Sequence, residues 1–470
     1  MAFGGKGIAK VDDFVVFVGG AVPGDRVRAR IVKNKKRYAE ARVEKMLAPS
    51  PDRRTPRCSM FGTCGGCVWQ DLAYEVQLEY KTSQVRESLE HLGGFKDFEL
   101  LPMLGMTDPW RYRNRADFSI GQTEEGAIVG FRPRGRWDSV LPLDSCHLLD
   151  PSIEKVRATV QDWLREEGIP GWDPRTHQGS ARHLLARCSQ GGQELLVSLV
   201  TAEATPPGTK RLVKRLRSRH PELVGVAHAA NPGRAELSAG LPSTTLWGRP
   251  FLLEKVVGLT LKISLDAFFQ TNTTMAERLY ALAIDTAVPT ATEGTCPDAA
   301  GRDVAGHDVA GRDVAPVVWD LCAGVGSIGL ALAHRAKALL GIEAVADAVQ
   351  DAQENARLNH IENATFLVGD IAKTLREIAD GTRELPLGLR QPDVVILDPP
   401  RAGLSNKALK RVGELGAPRI VYVSCNPTTL GPNAATLADY GYRPARVTPV
   451  DMFPHTPHVE CVALLERQPA

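Results

Sequence analysis

The chain has 470 residues, 43% hydrophobic and 24% charged, enough for two or three domains with sizeable cores and too apolar for global disorder. Its net charge of +2 is unevenly spread: residues 1–57 carry 14 Lys and Arg against 6 Asp and Glu, which suits a polyanion-facing module or a solvated charged face. No stretch approaches the roughly 18 uninterrupted apolar residues of a membrane span and no signal pattern follows Met1, so the expectation is a cytoplasmic protein without a membrane partner.

Between Phe3 and Met46, the runs Phe14–Val18 and Val27–Val32 are parted by Gly19-Gly20 and Pro23-Gly24-Asp25, which predicts a small β-barrel over residues 1–48. Arg26, Arg28 and Arg30 alternate along the second run, and Lys33, Lys35, Lys36 and Arg37 cluster beyond it. One face can therefore present cations to phosphates. Pro49, Pro51 and Pro56 mark a linker. Over 72–92, Val76, Tyr80, Val85, Leu89 and Leu92 fall near helical spacing before Gly93-Gly94, which predicts one long amphipathic helix. From about 105 to 265, short strand and helix patterns mix without catalytic punctuation, as in an α+β domain. A pentamer occurs three times in 300–314, and its Ala, Gly and Asp content cannot build a core, so about 289–315 reads as a flexible, functionally silent insertion. Beyond it, apolar strands alternate with helices: Val317–Leu321, Ala338–Ile342, Thr365–Val368, Val394–Leu397 and Arg419–Val423. This alternation predicts an α/β, doubly wound parallel sheet whose ligands bind at the carboxyl ends of the strands.

The first of these strands ends in Asp320-Leu321-Cys322-Ala323-Gly324-Val325-Gly326-Ser327, with Gly329 two residues on. Glycines there let a ligand approach a helix amino terminus closely. Glu343 lies 19 residues after Gly324, which also fits a dinucleotide fold. Asp320 before the loop and Asp370 after the third strand favour S-adenosylmethionine over a nicotinamide or flavin cofactor, and Glu343 would take ribose hydroxyls under either reading. The fourth strand ends in Asp398-Pro399-Pro400-Arg401, where two prolines hold the chain extended so that carboxylate and carbonyl can face a planar base. The fifth ends in Ser424-Cys425-Asn426-Pro427, placing a thiol at the ligand edge of the sheet. A thiolate can add to C6 of uracil, which makes C5 able to attack a methyl sulfonium, after which a base must remove the C5 proton. Glu460 is the candidate base, with His455 and His458 as alternatives on the same segment. Cys188, Cys296, Cys322 and Cys461 read as buried apolar groups by residue type alone.

The nine cysteines of a reducing compartment are expected to be ligands, nucleophiles or apolar groups rather than disulfides. Cys58, Cys64 and Cys67, with Gly65-Gly66 between the last two, are spaced for one metal centre, and Cys146 is the best fourth ligand. A [4Fe–4S] cluster suits this spacing better than zinc, which favours paired C-x2-C knuckles.

Gly4-Gly5-Lys6-Gly7-Ile8-Ala9, these four cysteines, Phe268-Phe269-Gln270-Thr271-Asn272, the Asp320 loop, Asp398–Arg401, Ser424–Pro427 and His458-Val459-Glu460 together resemble the class I S-adenosylmethionine-dependent RNA 5-methyluridine methyltransferases. More closely, they resemble the iron–sulfur branch acting on 23S ribosomal RNA. The resemblance spans nearly the whole chain. It implies a Rossmann-like class I methyltransferase fold with an OB-like TRAM domain over 1–48, a central iron–sulfur domain over 49–265 and a catalytic domain over 266–470. It further implies that the helix 72–92 packs on the catalytic domain. Two features depart from the family pattern: the chain starts at or inside what should be the barrel's first strand, and the repeat-bearing insertion of about 289–315 is extra and is expected on the surface away from the cofactor. Cys425 would be the nucleophile and Glu460 the proton acceptor. Gln270, Asp320, Cys322, Gly324, Ser327, Glu343, Asp370 and Asp398 would hold S-adenosylmethionine, and Phe268, Asp398 and Arg401 the flipped base.

The expected reaction is therefore methylation of a uridine C5 in structured RNA, 23S rRNA ahead of tRNA, with no obligate protein partner. An amino-methyltransferase needing no thiol, a nicotinamide- or flavin-linked iron–sulfur oxidoreductase, and a non-catalytic RNA-binding module are the rival readings.

Overall fold

The computed structural model describes residues 1–289, 295–297, 303–305, 315–386, 388–389 and 391–469. The pentamer repeat lies outside the described residues, apart from the short strand Asp303–Ala305. The chain divides into two units, one of Met1–Pro56, Val68–Thr107 and Arg278–Ala470, the other of Arg57–Cys67 and Asp108–Glu277.

In the first unit, the amino-terminal strands Gly7–Val11, Phe14–Gly19, Tyr38–Ala48 and Arg26–Asn34 form a sheet in that spatial order. Val16, Val18, Ala21, Ala39 and Ala41 make its small core. Along Arg26–Asn34 the arginines at 26, 28 and 30 are exposed while Val27 and Ala29 are half-buried, and everything from Ile31 to Arg37 is exposed. Period-2 alternation thus delivers the basic face that the sequence suggests.

The larger sheet of this unit has eight strands. In spatial order they are Ala364–Val368, Ala338–Glu343, Val317–Leu321, Val394–Leu397, Arg419–Ser424, Glu460–Arg467, Tyr442–Val450 and the two-residue edge strand Glu99–Leu100. The first five run parallel, and Glu460–Arg467 is antiparallel to both of its neighbours. Val317–Leu321 and Val394–Leu397 are buried at every position, as strands covered on both faces must be. All five parallel strands expected from the sequence are present. Strand order reverses between Val317–Leu321 and Val394–Leu397, which makes their carboxyl ends the expected crevice.

The helix of the 72–92 region spans Tyr74–Glu87 and passes into a π turn over Ser88–Leu92. Its inward face differs from the apolar stripe expected. Gln77, Lys81, Gln84, Val85, Ser88 and Leu89 are buried, whereas Leu92 is exposed.

The second unit is α+β. Its seven-stranded sheet runs in the order Ser243–Gly248, Leu223–Ala230, Leu195–Thr201, Ala181–Cys188, Arg115–Thr123, Gly126–Phe131, Leu141–Pro142. The helix Pro151–Glu166, capped by Asp150 accepting from the Ser152 N–H, contributes Ile153, Val156, Val160, Trp163 and Leu164 to the core, and the helix Thr209–Arg219 adds Leu212 and Leu216. Among the described residues no helix is long and apolar enough to cross a membrane.

Candidate active site

Sheet register brings the candidate residues of the first unit to one edge. Leu321 pairs with Ile342 on one side and Leu397 on the other, so Cys322, Glu343 and Asp398 come next in line. Arg419–Ser424 pairs with Glu460–Arg467 antiparallel, ending at Ser424 opposite Cys461. Cys425 follows as a bend residue at the end of its strand, near enough to Glu460, the first residue of the neighbouring strand, to feel its charge. Asp370 follows the outermost strand, and the Gly369 N–H donates to the Glu343 carbonyl at 2.9 Å.

Local hydrogen bonds fix these side chains. Asp320 is 1% exposed, and its Oδ2 accepts the Gly329 N–H at 3.1 Å. Glu343 spans the glycine loop, Oε2 accepting from Gly324 N–H at 3.0 Å and Oε1 from Val345 N–H at 2.9 Å. Cys322 has φ 82, in the left-handed region, and the loop continues through Gly324 and Gly326 at positive φ to Ser327, the first residue of a helix. A non-glycine held there marks a backbone shaped for something other than its own comfort. Asp370 is exposed and caps the next helix, accepting from the Lys373 N–H at 3.0 Å. Asn426 ties two loops together. Its Oδ1 accepts the Thr428 N–H at 3.1 Å, capping the helix Pro427–Ala438, while its Nδ2 donates to the Arg401 carbonyl at 2.9 Å.

The edge is dominated by buried carboxylates. Desolvation, then the charges of Asp398 and Glu343, pushes Asp320 up to about 7. Asp398 keeps some surface open, yet protein packed around it raises it to about 7 by desolvation. Glu460 is 3% exposed and raised well above the carboxylate range, first by burial and then by Asp398, with Arg401 opposing. Cys425 is half-buried and raised to about 11 by burial, Glu460 and Asp398, again with Arg401 opposing. Excess negative charge at a crevice fits a cationic ligand.

One feature escapes the motifs. Tyr280, buried on the helix Thr273–Ala287, lies near Ser327 and feels the charges of Asp398, Glu460 and Asp320. Its signal in the sequence is a tyrosine on an apolar helical face, where the hydroxyl must find a partner. The segment before Glu460 carries the alternative base His455. His455 is buried, its N–H donates to Gln77 Oε1 at 2.9 Å and its Nδ1 lies 3.2 Å from Gln77 Nε2, so it serves the turn. Cys461 and Cys188 are buried, as expected of apolar thiols.

Phe268 and Gln270 belong to the other unit. Phe268 is 72% exposed and Gln270 is buried. The segment carrying them is held from below: Asn114 donates through Nδ2 to the Gln270 carbonyl at 3.0 Å and to Thr273 Oγ1 at 2.8 Å, and Arg187 donates to the carbonyls of Ser264 at 3.3 Å and Ala267 at 2.9 Å.

Cys58, Cys64, Cys67 and Cys146 also lie in this unit, each half-buried. Burial raises the Cys64 and Cys146 thiols, with nearby backbone N–H groups and the Arg113 charge opposing, and among the described residues the buried Nε of Arg113 has no hydrogen-bond partner. A cation close to two thiols favours the anionic form that a thiolate cluster requires. Among the described residues, no three His, Cys, Asp or Glu side chains converge closely enough to form a metal cage.

Residues 309–468 match the family described as tRNA (Uracil-5-)-methyltransferase, and residues 2–43 match the TRAM domain. An RNA methyltransferase of Halalkalibacterium halodurans is 36% identical over 98% of this chain and 94% of its own length. Another, from Caldanaerobacter subterraneus, is 36% identical over 99% of this chain and 97% of its own. Among solved structures, the tRNA (uracil-54, C5)-methyltransferase of Pyrococcus abyssi, in complex with S-adenosyl-L-homocysteine, aligns with a TM-score of 0.72 at 26% identity over 98% of this chain and 100% of that one.

Proposed function

Because this chain belongs to the TRAM-bearing RNA uracil-5-methyltransferase family, we propose that Cys425 is its nucleophile and Glu460 its proton acceptor. The enzyme uses S-adenosylmethionine to methylate C5 of uridine in RNA. The observation that supports the two assignments is the register: Ser424 opposite Cys461 brings the residues next to them, Cys425 and Glu460, to the same end of adjacent strands, within electrostatic reach of each other and of Asp398.

S-adenosylmethionine supplies an electrophilic methyl carbon on a sulfonium. Asp320, Cys322, Gly324, Ser327, Glu343, Asp370 and Asp398 would hold it, and its positive charge would offset the crowded carboxylates and favour the Cys425 thiolate. The thiolate bonds to C6 of the flipped uracil, C5 takes the methyl group, and Glu460 removes the C5 proton. The electron pair of the broken C–H bond re-forms C5=C6 and expels the Cys425 sulfur. Arg401 offers a cation beside the ring that Asp398 helps to hold. The base leaves its stack at the expense of a few kcal/mol, offset by contacts elsewhere.

A structural [4Fe–4S] cluster on Cys58, Cys64, Cys67 and Cys146 is part of this reading, supported by the cysteine spacing and by the Arg113 charge near Cys64 and Cys146; no step of methyl transfer needs its electrons. The cysteine set favours 23S rRNA in the cytoplasm, where thiols stay reduced. The Pyrococcus abyssi likeness favours tRNA as the second reading.

Release of tritium from RNA labelled at uridine C5, with 23S rRNA fragments and tRNA side by side, tests both points. Wild type releases tritium from one of the two, and Cys425→Ala and Glu460→Gln release it from neither, by a factor of at least about 10³. Undiminished turnover by Cys425→Ala would remove the thiol from the mechanism.

A further inference from the structure

The helix Tyr74–Glu87 turns a polar face inward, with Gln77 and Lys81 fully buried. Buried polar groups persist only when partnered, and here the partners lie largely in the connection 451–459. Lys81 Nζ donates to Asp451 Oδ1 at 2.5 Å and to the Phe453 carbonyl at 3.1 Å. The Tyr74 hydroxyl donates to Asp451 Oδ2 at 2.8 Å and accepts the Met106 N–H at 2.9 Å. Gln77 accepts the His455 N–H and donates through Nε2 to the carbonyls of Trp69 at 2.9 Å and Leu72 at 3.0 Å. The His455 carbonyl in turn accepts the N–H groups of Val68 and Trp69, both at 3.0 Å. A mostly buried connection cannot leave its backbone groups to water, and the helix satisfies them instead.

That connection closes directly on Glu460. Val450 pairs with Glu460 across it, so a shift at Asp451 or His455 moves the carboxylate. The helix also continues into Ser88–Leu92, which packs on Pro427–Ala438, the helix beginning two residues after Cys425. Contact there is so close that a Cβ on Gly431 would lie 2.5 Å from the Ser88 carbonyl oxygen. One element from early in the chain therefore touches both the helix after the thiol and the connection before the carboxylate.

We infer that Tyr74, Gln77 and Lys81 are positioning residues that set the Glu460 carboxylate against the C5 proton of the ring bonded to Cys425. The inference rests on Glu460 being the proton acceptor, and the three act through Asp451 and His455. Displacing the carboxylate leaves the sulfur–C6 bond and methyl arrival at C5 intact. It slows transfer of the C5 proton to Glu460, and with it return of the C–H electron pair to C5=C6 and loss of the sulfur.

Single-turnover reactions of the full chain separate the two halves. Formation of S-adenosylhomocysteine reads methyl transfer, and decay of the denaturant-stable enzyme–RNA complex reads elimination. Gln77→Leu and Tyr74→Phe keep the first rate within about twofold of wild type and slow the second about 10- to 100-fold. Gln77→Glu, which retains an oxygen for the His455 N–H, recovers most of the loss, and Glu87→Ala on the exposed face of the same helix behaves as wild type. Thermal unfolding and RNA affinity qualify each variant, and if Gln77→Leu does not fold, Tyr74→Phe, lacking one hydroxyl, carries the test. Glu460→Gln must itself trap the complex; if it releases RNA normally, the base assignment fails and the inference with it. If Glu460→Gln traps the complex while the folded helix variants eliminate at the wild-type rate, or slow both steps equally, the positioning role alone is overturned.

Discussion

Asp320 and Asp398 face a conflict that a cationic ligand resolves. Each is pushed from an ordinary 3.8 to about 7, so each is largely protonated in the empty crevice below neutrality. A folded-state pKa raised in this way contributes stability that is full below about pH 4 and is lost as pH rises through 7. A positive ligand selects the ionised form, so its binding gains over the same interval. Calorimetric titration with S-adenosylmethionine should show affinity rising about tenfold between pH 6 and 8 for one such group, and Asp320→Asn should flatten the rise. A pH-independent affinity would mean that neither carboxylate faces the charge. The Cys425 thiol, raised to about 11 by burial and by Glu460 and Asp398, obeys the same logic: its reactivity depends on a cation arriving nearby.

Elements differ in how openly the sequence announces them. The basic strand Arg26–Asn34 is legible because alternation at period 2 survives without tertiary context. Replacing Arg28, Arg30 and Lys33 with Gln should weaken RNA binding uniformly across sequences and reduce the salt dependence of log K by roughly 0.7 to 0.9 per charge removed, measured by fluorescence anisotropy against ionic strength. An unchanged slope would place the phosphate backbone elsewhere. The five parallel strands are equally plain, since strands buried on both faces read as unbroken apolar runs. Their ends therefore mark Asp320, Glu343, Asp398 and Cys425 correctly as neighbours along one edge. Val76, Tyr80 and Leu92 announce the helix at Tyr74–Glu87, yet its buried face is Gln77, Lys81 and Gln84. Apolar periodicity finds helices that pack on cores; it is blind to one that packs on a buried connection and answers a carboxylate 370 residues and a carbonyl 372 residues away in sequence. Tyr280 is hidden for a similar reason, because a lone tyrosine on an apolar face looks like core until its hydroxyl's partner is known.

For the molecule as a whole, three sets of candidate functional residues come from segments far apart in the chain: a basic sheet at the amino terminus, a sheet edge in the last third, and four cysteines in a unit whose residues start at Arg57 and resume at Asp108. Close spacing suggests Cys58, Cys64 and Cys67, whereas Cys146 is found only by asking which remote cysteine could be the fourth ligand. Protein purified without oxygen should carry about four iron and four sulfide per chain, with Cys146→Ser losing most of both; zinc without iron would reassign the site. The central claim, however, concerns a single covalent bond. Incubation with S-adenosylmethionine and RNA bearing 5-fluorouridine, whose C5 substituent no base can remove as a proton, should leave a denaturant-stable complex. Intact mass and peptide mapping should show enzyme, RNA and one methyl group joined through Cys425. Absence of that complex, or its persistence in Cys425→Ala, would contradict the account.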